Sequence, residues 1–245
     1  MKKLKIGIIG VGRLGYEHAC NIANRVPGSE LVAIADANFD RAKQVAEELG
    51  VTVVYQTAQE LCADPNVEAV AIITNTASHV EMIKIAMDAG KHVFCEKPLA
   101  DTVEKCKEAE AIIAAHPELT FMLGFMRRYD HSYQVAKKKM ENGDIGDVIL
   151  VRCYSQDPIS IIEGTLEYAP RSGGQFIDMS IHDFDLIRWL TGSEVKELWA
   201  TGGCYEFKQY KDWDDGDNVS GLMKMENDAM AFFFAGRAAA HGSHV

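Results

Sequence analysis

An aspartate and a histidine four positions apart, in Asp178-Met179-Ser180-Ile181-His182, are the strongest candidates for chemistry in this 245-residue chain. On an α-helix that spacing puts carboxylate and imidazole on one face, within reach of each other. A histidine held by an aspartate keeps one tautomer and a raised basicity, which suits proton transfer at a hydroxyl. The same spacing serves a helix-surface ion pair equally well. Lys97, in Cys95-Glu96-Lys97-Pro98, follows an apolar strand and would project from the carboxyl edge of a parallel sheet, where ligands bind in open α/β folds. It is either a solvated cation or a proton-handling group, and Pro98 stiffens its turn and is a candidate for a cis bond. Asp183 and Asp185 could join His182 around a metal, but loose carboxylates beside one histidine occur widely and no metal is expected. His241-Gly242-Ser243-His244 has the look of a ligand pair or a tag scar; a strand end or loop is the expected reading.

The glycines of Gly10-Val11-Gly12-Arg13-Leu14-Gly15 form a G-x-G-x-x-G that closes one apolar run and opens a helical pattern. In that context Gly10 makes a tight turn, Gly12 lets backbone approach a pyrophosphate, and Gly15 permits close helix-strand packing. Asp36 ends the second apolar run about twenty residues on, where a carboxylate can accept hydrogen bonds from both hydroxyls of an adenosine ribose. It repels a 2′-phosphate, and Ala37-Asn38 supply no arginine to offset that, so NAD is expected over NADP.

The elements that position these groups alternate through the first half. Strand-like runs at 4–10, 31–35, 53–54, 69–73, 92–95 and 120–123 are separated by helical patterns. Asn38 and the capping box Thr57-Ala58-Gln59-Glu60 start helices, and Gly50 and Gly90 stop them. Ala69 to Ile73 shows no polar alternation, as expected where helices cover both faces. After about Leu123 the rhythm changes. A helix over about 130–142 and a strand from Val148 to Tyr154 lead through a polar loop to a helix over about 174–190. Strands at 195–207, 219–225 and 230–234 follow, the last two joined at Asn227-Asp228. The expected fold class is α/β: a doubly wound parallel sheet over residues 1–123, then an α+β domain with a large antiparallel sheet over 124–245.

Composition narrows the function classes. Hydrophobic residues make up 47%, enough for a sizeable core and against disorder. Twenty-five Lys+Arg against 36 Asp+Glu leave a formal charge of -11, which repels nucleic acid, and Lys137-Lys138-Lys139 reads as a solvated helix face. No apolar stretch approaches the ~20 residues of a membrane span and no cleavable signal precedes Leu4, so neither membrane nor nucleic acid is an expected partner. Six scattered cysteines without a C-x-x-C pair fit reduced thiols in the cytoplasm.

These residues in this order resemble the family of glucose-fructose oxidoreductase and inositol dehydrogenase. The match spans essentially the whole chain and rests on the fingerprint Gly10 to Gly15, Asp36, and Glu96-Lys97-Pro98. It adds Gly124-Phe125-Met126-Arg127-Arg128-Tyr129-Asp130, and Gly173-Gly174 leading to Asp178, His182 and Asp183. Within the family the G-F-x-R-R-Y/F-D stretch and the D-x-x-x-H pair are most similar to those of myo-inositol dehydrogenases.

The resemblance implies that Arg13, Leu14, Thr74, Asn75, Glu96 and Lys97 join Gly10, Gly12, Gly15 and Asp36 around NAD. It implies that Lys97 and His182 face the reacting hydroxyl, that Asp178 orients and charges the imidazole, and that Arg127 and Asp157 belong with them to the substrate pocket. It also implies a commonly cis Lys97-Pro98 peptide. Where many inositol dehydrogenases place a substrate-binding histidine after the seventh strand, this chain reads Ser155-Gln156-Asp157-Pro158. Family members usually run ~90 residues beyond Ala239-Ala240-His241-Gly242, so the second domain's sheet is expected to be incomplete at its C-terminal end. The activity implied is NAD-dependent oxidation of a cyclic polyol, with myo-inositol first and other inositols or sugars as alternatives. The rival class is a non-catalytic dinucleotide-sensing regulator, which would have no reason to keep Lys97 with Asp178 and His182. Apolar strand sequence such as Ala231-Phe232-Phe233-Phe234 suggests dimers or tetramers formed through the antiparallel sheet.

Overall fold

Why the first half folds as it does is visible at its helix ends. In the computed structural model, which describes residues 2–244 and the last two of these by their backbone, Asn38 caps a helix by accepting from the Arg41 amide. Thr57 and Glu60 close their capping box reciprocally, and Gly50 ends a helix in the left-handed region at φ 70°. The chain divides into two compact units, Met1–Gly124 and Phe125–Val245.

The first unit alternates β1 (Leu4–Ile9), α1 (Arg13–Asn24), β2 (Ser29–Ala35), α2 (Phe39–Leu49), β3 (Val53–Tyr55), α3 (Ala58–Ala63), β4 (Ala69–Ile72), α4 (His79–Asp88), β5 (His92–Cys95), α5 (Val103–Ala114) and β6 (Phe121–Leu123). All pairings are parallel, in the order β3-β2-β1-β4-β5-β6, the doubly wound arrangement expected. Every residue of β4 is buried, because helices pack on both faces of this central strand. Two apolar clusters result, one around Leu61, Ile72, Ile83 and Met87, the other around Ile8, Ile34 and Val45.

The second unit comprises α6 (His131–Glu141), β7 (Leu150–Pro158), α7 (Ile162–Tyr168), a π-helical turn at Phe176–Ser180, α8 (Ile181–Thr191), β8 (Val195–Gly203), β9 (Asn218–Met225), β10 (Met230–Ala239) and β11 (Ser243–His244). Its sheet runs β11-β7-β10-β9-β8. It is mixed where an antiparallel sheet was expected: β10 lies parallel to β7, and the other pairings are antiparallel. Strand β8 stops at Gly203, short of the expected Phe207, because the Asp217 carboxylate gathers the amides of Tyr205, Glu206 and Phe207 into a turn. Side chains alternate cleanly across the sheet. Val151, Cys153, Ala231, Phe233, Met223 and Met225 face a core shared with Leu186 and Ile187 of α8, while Leu150, Leu222 and Trp199 are exposed on the other face. Among the described residues no helix is long and apolar enough to cross a membrane.

Candidate functional site

In the first unit the three fingerprint glycines do three different things. Gly10 ends β1 at φ 90°, and a Cβ there would lie 2.6 Å from the Ile73 carbonyl oxygen. A Cβ on Gly15 would lie 2.0 Å from the Gly10 oxygen, so only glycine lets α1 pack this close to the end of β1. A Cβ on Gly12 would meet nothing within 4 Å, and Gly12 caps α1 without a side-chain bond. No side chain caps the first amides of this twelve-residue helix, which leaves them as donors suited to a phosphate.

Asp36, at the end of β2, accepts from the Val11 amide and the Asn38 amide, both at 2.8 Å. Its carboxylate borders a cleft of about 490 Å³ lined by Gly10, Gly12, Ala37, Thr74 and Asn75 among others. The open Gly12, the unblocked helix start, the acid and a lining without lysine or arginine fit NAD and disfavour a 2′-phosphate. Arg13 and Leu14 are exposed on the first turn of α1. The cleft also uses Gln56 to Gln59, Ser78, Glu81 and Met82; the sequence marked Thr57 to Gln59 only as capping box and Glu81 and Met82 only as helix, and did not mark Gln56 or Ser78. Arg41 was missed as well: its Nε donates to the Val11 carbonyl at 3.2 Å and its guanidinium lies over the Tyr16 ring.

Lys97 follows β5, as expected, and the Lys97-Pro98 peptide is cis. Glu96 accepts from the Lys97 amide at 3.0 Å and meets His18 Nε2 at 2.9 Å. A Cβ on Gly124 would stand 3.2 Å from the Glu96 carboxylate, a tight contact. Beneath this turn sits His79, 1% exposed, with Nδ1 2.8 Å from the Pro98 carbonyl and Nε2 3.3 Å from that of Thr74. Burial pushes the His79 pKa below the ordinary imidazole value, against the opposing pull of those carbonyls. The neutral ring has one N–H to donate, and the shorter approach, to the Pro98 carbonyl in the turn after β5, is where it serves. Neither His18 nor His79 was singled out in the sequence.

In the second unit Asp178 and His182 straddle a change of helix type. Asp178 lies in the π-turn and His182 in the first turn of α8, so the α-helical i,i+4 geometry expected from their spacing does not apply as such. The π-turn is anchored by Asp215, which accepts from the Gln175 amide at 3.0 Å. The His182 ring meets Phe125 edge to face at 6.3 Å. Asp178 accepts a hydrogen bond from Arg237 Nη2, and Arg237 Nη1 donates to Asp157 Oδ2 at 2.6 Å. Arg127 is buried: Nη1 reaches Asp183 at 2.5 Å, Nη2 reaches Ser155 at 2.8 Å, and the Ser155 hydroxyl donates back to Asp183. Arg128 grips Asp185 through two bonds of 2.8 and 2.6 Å. The two aspartates weighed as metal ligands are thus held by arginines, and no group of three metal-ligating side chains occurs among the described residues. His241 is exposed before the short strand β11; the side chain of His244 lies outside the described residues. Arg237 was not singled out in the sequence, and Ser155 was named only as the start of the stretch Ser155-Gln156-Asp157-Pro158.

Comparison with known proteins follows this geometry. Residues 4–125 match the model of the GFO/IDH/MocA oxidoreductase family with its NAD-binding Rossmann fold, and residues 133–245 match that family's C-terminal domain. The chain is 36% identical over 246 residues to the myo-inositol 2-dehydrogenase of Thermotoga maritima, covering 98% of this chain and 70% of that one. It is 34% identical to the NAD-dependent scyllo-inositol 2-dehydrogenase of Bacillus subtilis, over 99% and 70% of the two chains. The crystal structure of scyllo-inositol dehydrogenase from Lactobacillus casei with NAD(H) and scyllo-inositol superposes with a TM-score of 0.93 at 39% identity, over 99% and 72%. On these matches and the dinucleotide cleft, the chain belongs to the GFO/IDH/MocA family and is an NAD-dependent oxidoreductase.

Proposed function

We propose that the chain oxidises one ring carbinol of a cyclic polyol, myo-inositol to its 2-keto inosose. The observation that carries this reading is its likeness, over nearly its whole length, to inositol 2-dehydrogenases; Lys97, Asp178 and His182 are taken as its reacting groups on the resemblance stated above. His182 removes the hydroxyl proton, and Asp178 orients the imidazole and stabilises its charged form. Lys97 donates a hydrogen bond to the developing alkoxide, a role worth several kcal/mol for a preorganised cation away from water. Glu96 and His79 hold the turn that carries Lys97, through the Lys97 amide and the Pro98 carbonyl. When bound, NAD supplies the acceptor for the hydride that leaves the carbinol carbon. Thr74 and Asn75 border the cofactor cleft, and Arg127 and Asp157 belong to the substrate side as members of the arginine-carboxylate networks.

A second reading, scyllo-inositol as the preferred isomer, is supported by the 39% identity to the Lactobacillus casei enzyme solved with that ligand, the same identity as to the myo-inositol 2-dehydrogenase of Lactobacillus plantarum. A panel of cyclitols and aldohexoses, read as absorbance of reduced cofactor with NAD and NADP in parallel, tests both. Highest kcat/KM for myo-inositol supports the first reading, and highest for scyllo-inositol the second. Silence across the panel with clear NAD binding overturns both in favour of a dinucleotide-sensing regulator.

We further propose a homodimer or tetramer formed through the outer face of the second sheet. There Arg152, Phe232, Leu222 and Trp199 make one row across four strands, with Leu222 55% and Trp199 64% exposed. Sedimentation of Leu222→Glu against the parent chain checks this: a shift to monomer is expected, and an unchanged coefficient refutes it. All six cysteines are free thiols, in keeping with a cytoplasmic site of action.

A further inference from the structure

Arg237 stands on β10 with 5% of its surface exposed, and its one guanidinium holds two carboxylates from different elements. Asp157 comes from the end of β7 and Asp178 from the π-turn. Burial opposes the charge on Arg237, but the fields of Asp178 and Asp157 outweigh it and hold the guanidinium pKa above its ordinary value. The other titratable groups packed around this cluster are Tyr210, Asp215 and Asp217 from the β8-β9 connection. The Arg127-Asp183 pair, closed by Ser155, stands beside His182 on α8. Tyr210 is wholly buried, and burial raises its phenol pKa while the charge of Arg237 works against that rise.

We propose that Arg237 is a positioning residue of the dehydrogenase site, which sets the proton affinity of the Asp178-His182 pair by dividing its charge between Asp178 and Asp157. The inference rests on the reading in which His182 takes the substrate proton. One guanidinium between two carboxylates offsets their mutual repulsion. The planar fork of arginine satisfies them in fixed directions, which a lysine cannot match. The cation opposes the field of Asp178 at the imidazole and so limits how far Asp178 raises the basicity of His182.

The signs follow from the charges. Arg237→Gln removes a cation, so the proton affinity of His182 rises and the acid limb of kcat/KM moves to higher pH. Asp157→Asn removes a competing carboxylate, so Arg237 acts on Asp178 alone and the limb moves to lower pH. A purely structural role would lower turnover in both variants without displacing the limb in opposite directions. The test is the titration of the His182 imidazole by NMR on the full chain carrying ¹³C-labelled histidine, assigned from the missing resonance of His182→Gln, alongside the pH profiles. Opposite displacements of at least ~0.5 unit are expected; displacements of one sign, or none, overturn the proposal. Should Arg237→Gln fail to fold, Arg237→Lys and Asp157→Asn carry the test: the first keeps the limb near its original pH with lower kcat, the second moves it down, and an unmoved limb in Asp157→Asn overturns the proposal. An unmoved titration with an inactive His182→Ala removes Arg237 alone from the account. Full turnover in His182→Ala removes the base and Arg237 together.

Discussion

Replacing Gly12 by alanine separates what the cofactor needs from what the fold needs, and Gly15→Ala is its internal control. At Gly12 the backbone has φ -63°, which alanine adopts, and the new methyl would meet no protein atom within 4 Å. Reduced freedom of the unfolded chain stabilises by about 0.4–1 kcal/mol, and the poorer helix cap costs a comparable few tenths to 1, so the net is near zero and Tm moves by no more than ~2 °C. At Gly15 the methyl would stand 2.0 Å from the Gly10 oxygen and 2.8 Å from its carbonyl carbon. Both atoms are backbone, so α1 must move off β1, at a cost of about 3 kcal/mol or more. The binding consequence at Gly12 is the reverse. A methyl in front of the α1 amides keeps a pyrophosphate from closing on them, and losing one charge-assisted hydrogen bond of about 1.5–3 kcal/mol weakens NAD by roughly 10- to 100-fold. Thermal melts and NAD titration on both variants read the two effects apart. Unchanged NAD affinity in Gly12→Ala, or a fall in Tm as large as that of Gly15→Ala, would refute the argument.

Asp36→Ala should weaken NAD and narrow its advantage over NADP, because the repulsion of a 2′-phosphate is gone; equal cofactor ratios before and after would remove Asp36 from the ribose site. The same variant leaves the buried Val11 amide without its acceptor, and a stability loss of about 1–3 kcal/mol accompanies it. His79 has a lowered pKa in the fold, so below ~6.5 the unfolded chain takes up a proton that the folded ring refuses. Stability therefore falls as pH drops from 7.5 towards 5.5, and His79→Asn should flatten that slope in melts; an unaltered slope contradicts it. Asp217 is the opposite case. Its hydrogen bonds to backbone hold its carboxyl below the usual range despite burial, so their contribution is full above ~4 and disappears in stronger acid. Asp217→Asn turns an amide group towards donors that need an acceptor and should cost about 3 kcal/mol in a denaturant titration at neutral pH, whereas a change below ~0.5 would show that the turn holds without it.

The first unit was legible because its signals are local. Caps, stop glycines and uninterrupted apolar runs each fix one element, and the connections of a doubly wound sheet leave little choice of order. The second unit depends on pairings between residues far apart in sequence. Nothing in the runs at 150–158 and 230–239 says that they lie side by side and parallel. The π-turn was hidden for a related reason: an extra residue in a helical turn leaves the apolar pattern almost unchanged, and its anchor, Asp215, comes from forty residues downstream. Arg237 had a readable signal. Ala231, Phe233 and Ala235 alternate on the inner face of β10, and continuing that period past Phe234 places Arg237 among them. An arginine at an inward position of a strand requires a buried carboxylate nearby. Asp157 and Asp178 were both named as site residues, yet only the folded chain joins them through it.

The account stands most directly on His182 as the group that takes the substrate proton. With the best cyclitol of the panel at saturating NAD, His182→Ala is predicted to lose at least ~100-fold in kcat while its NAD affinity stays within about threefold of the parent. Near-parental turnover in His182→Ala would contradict it.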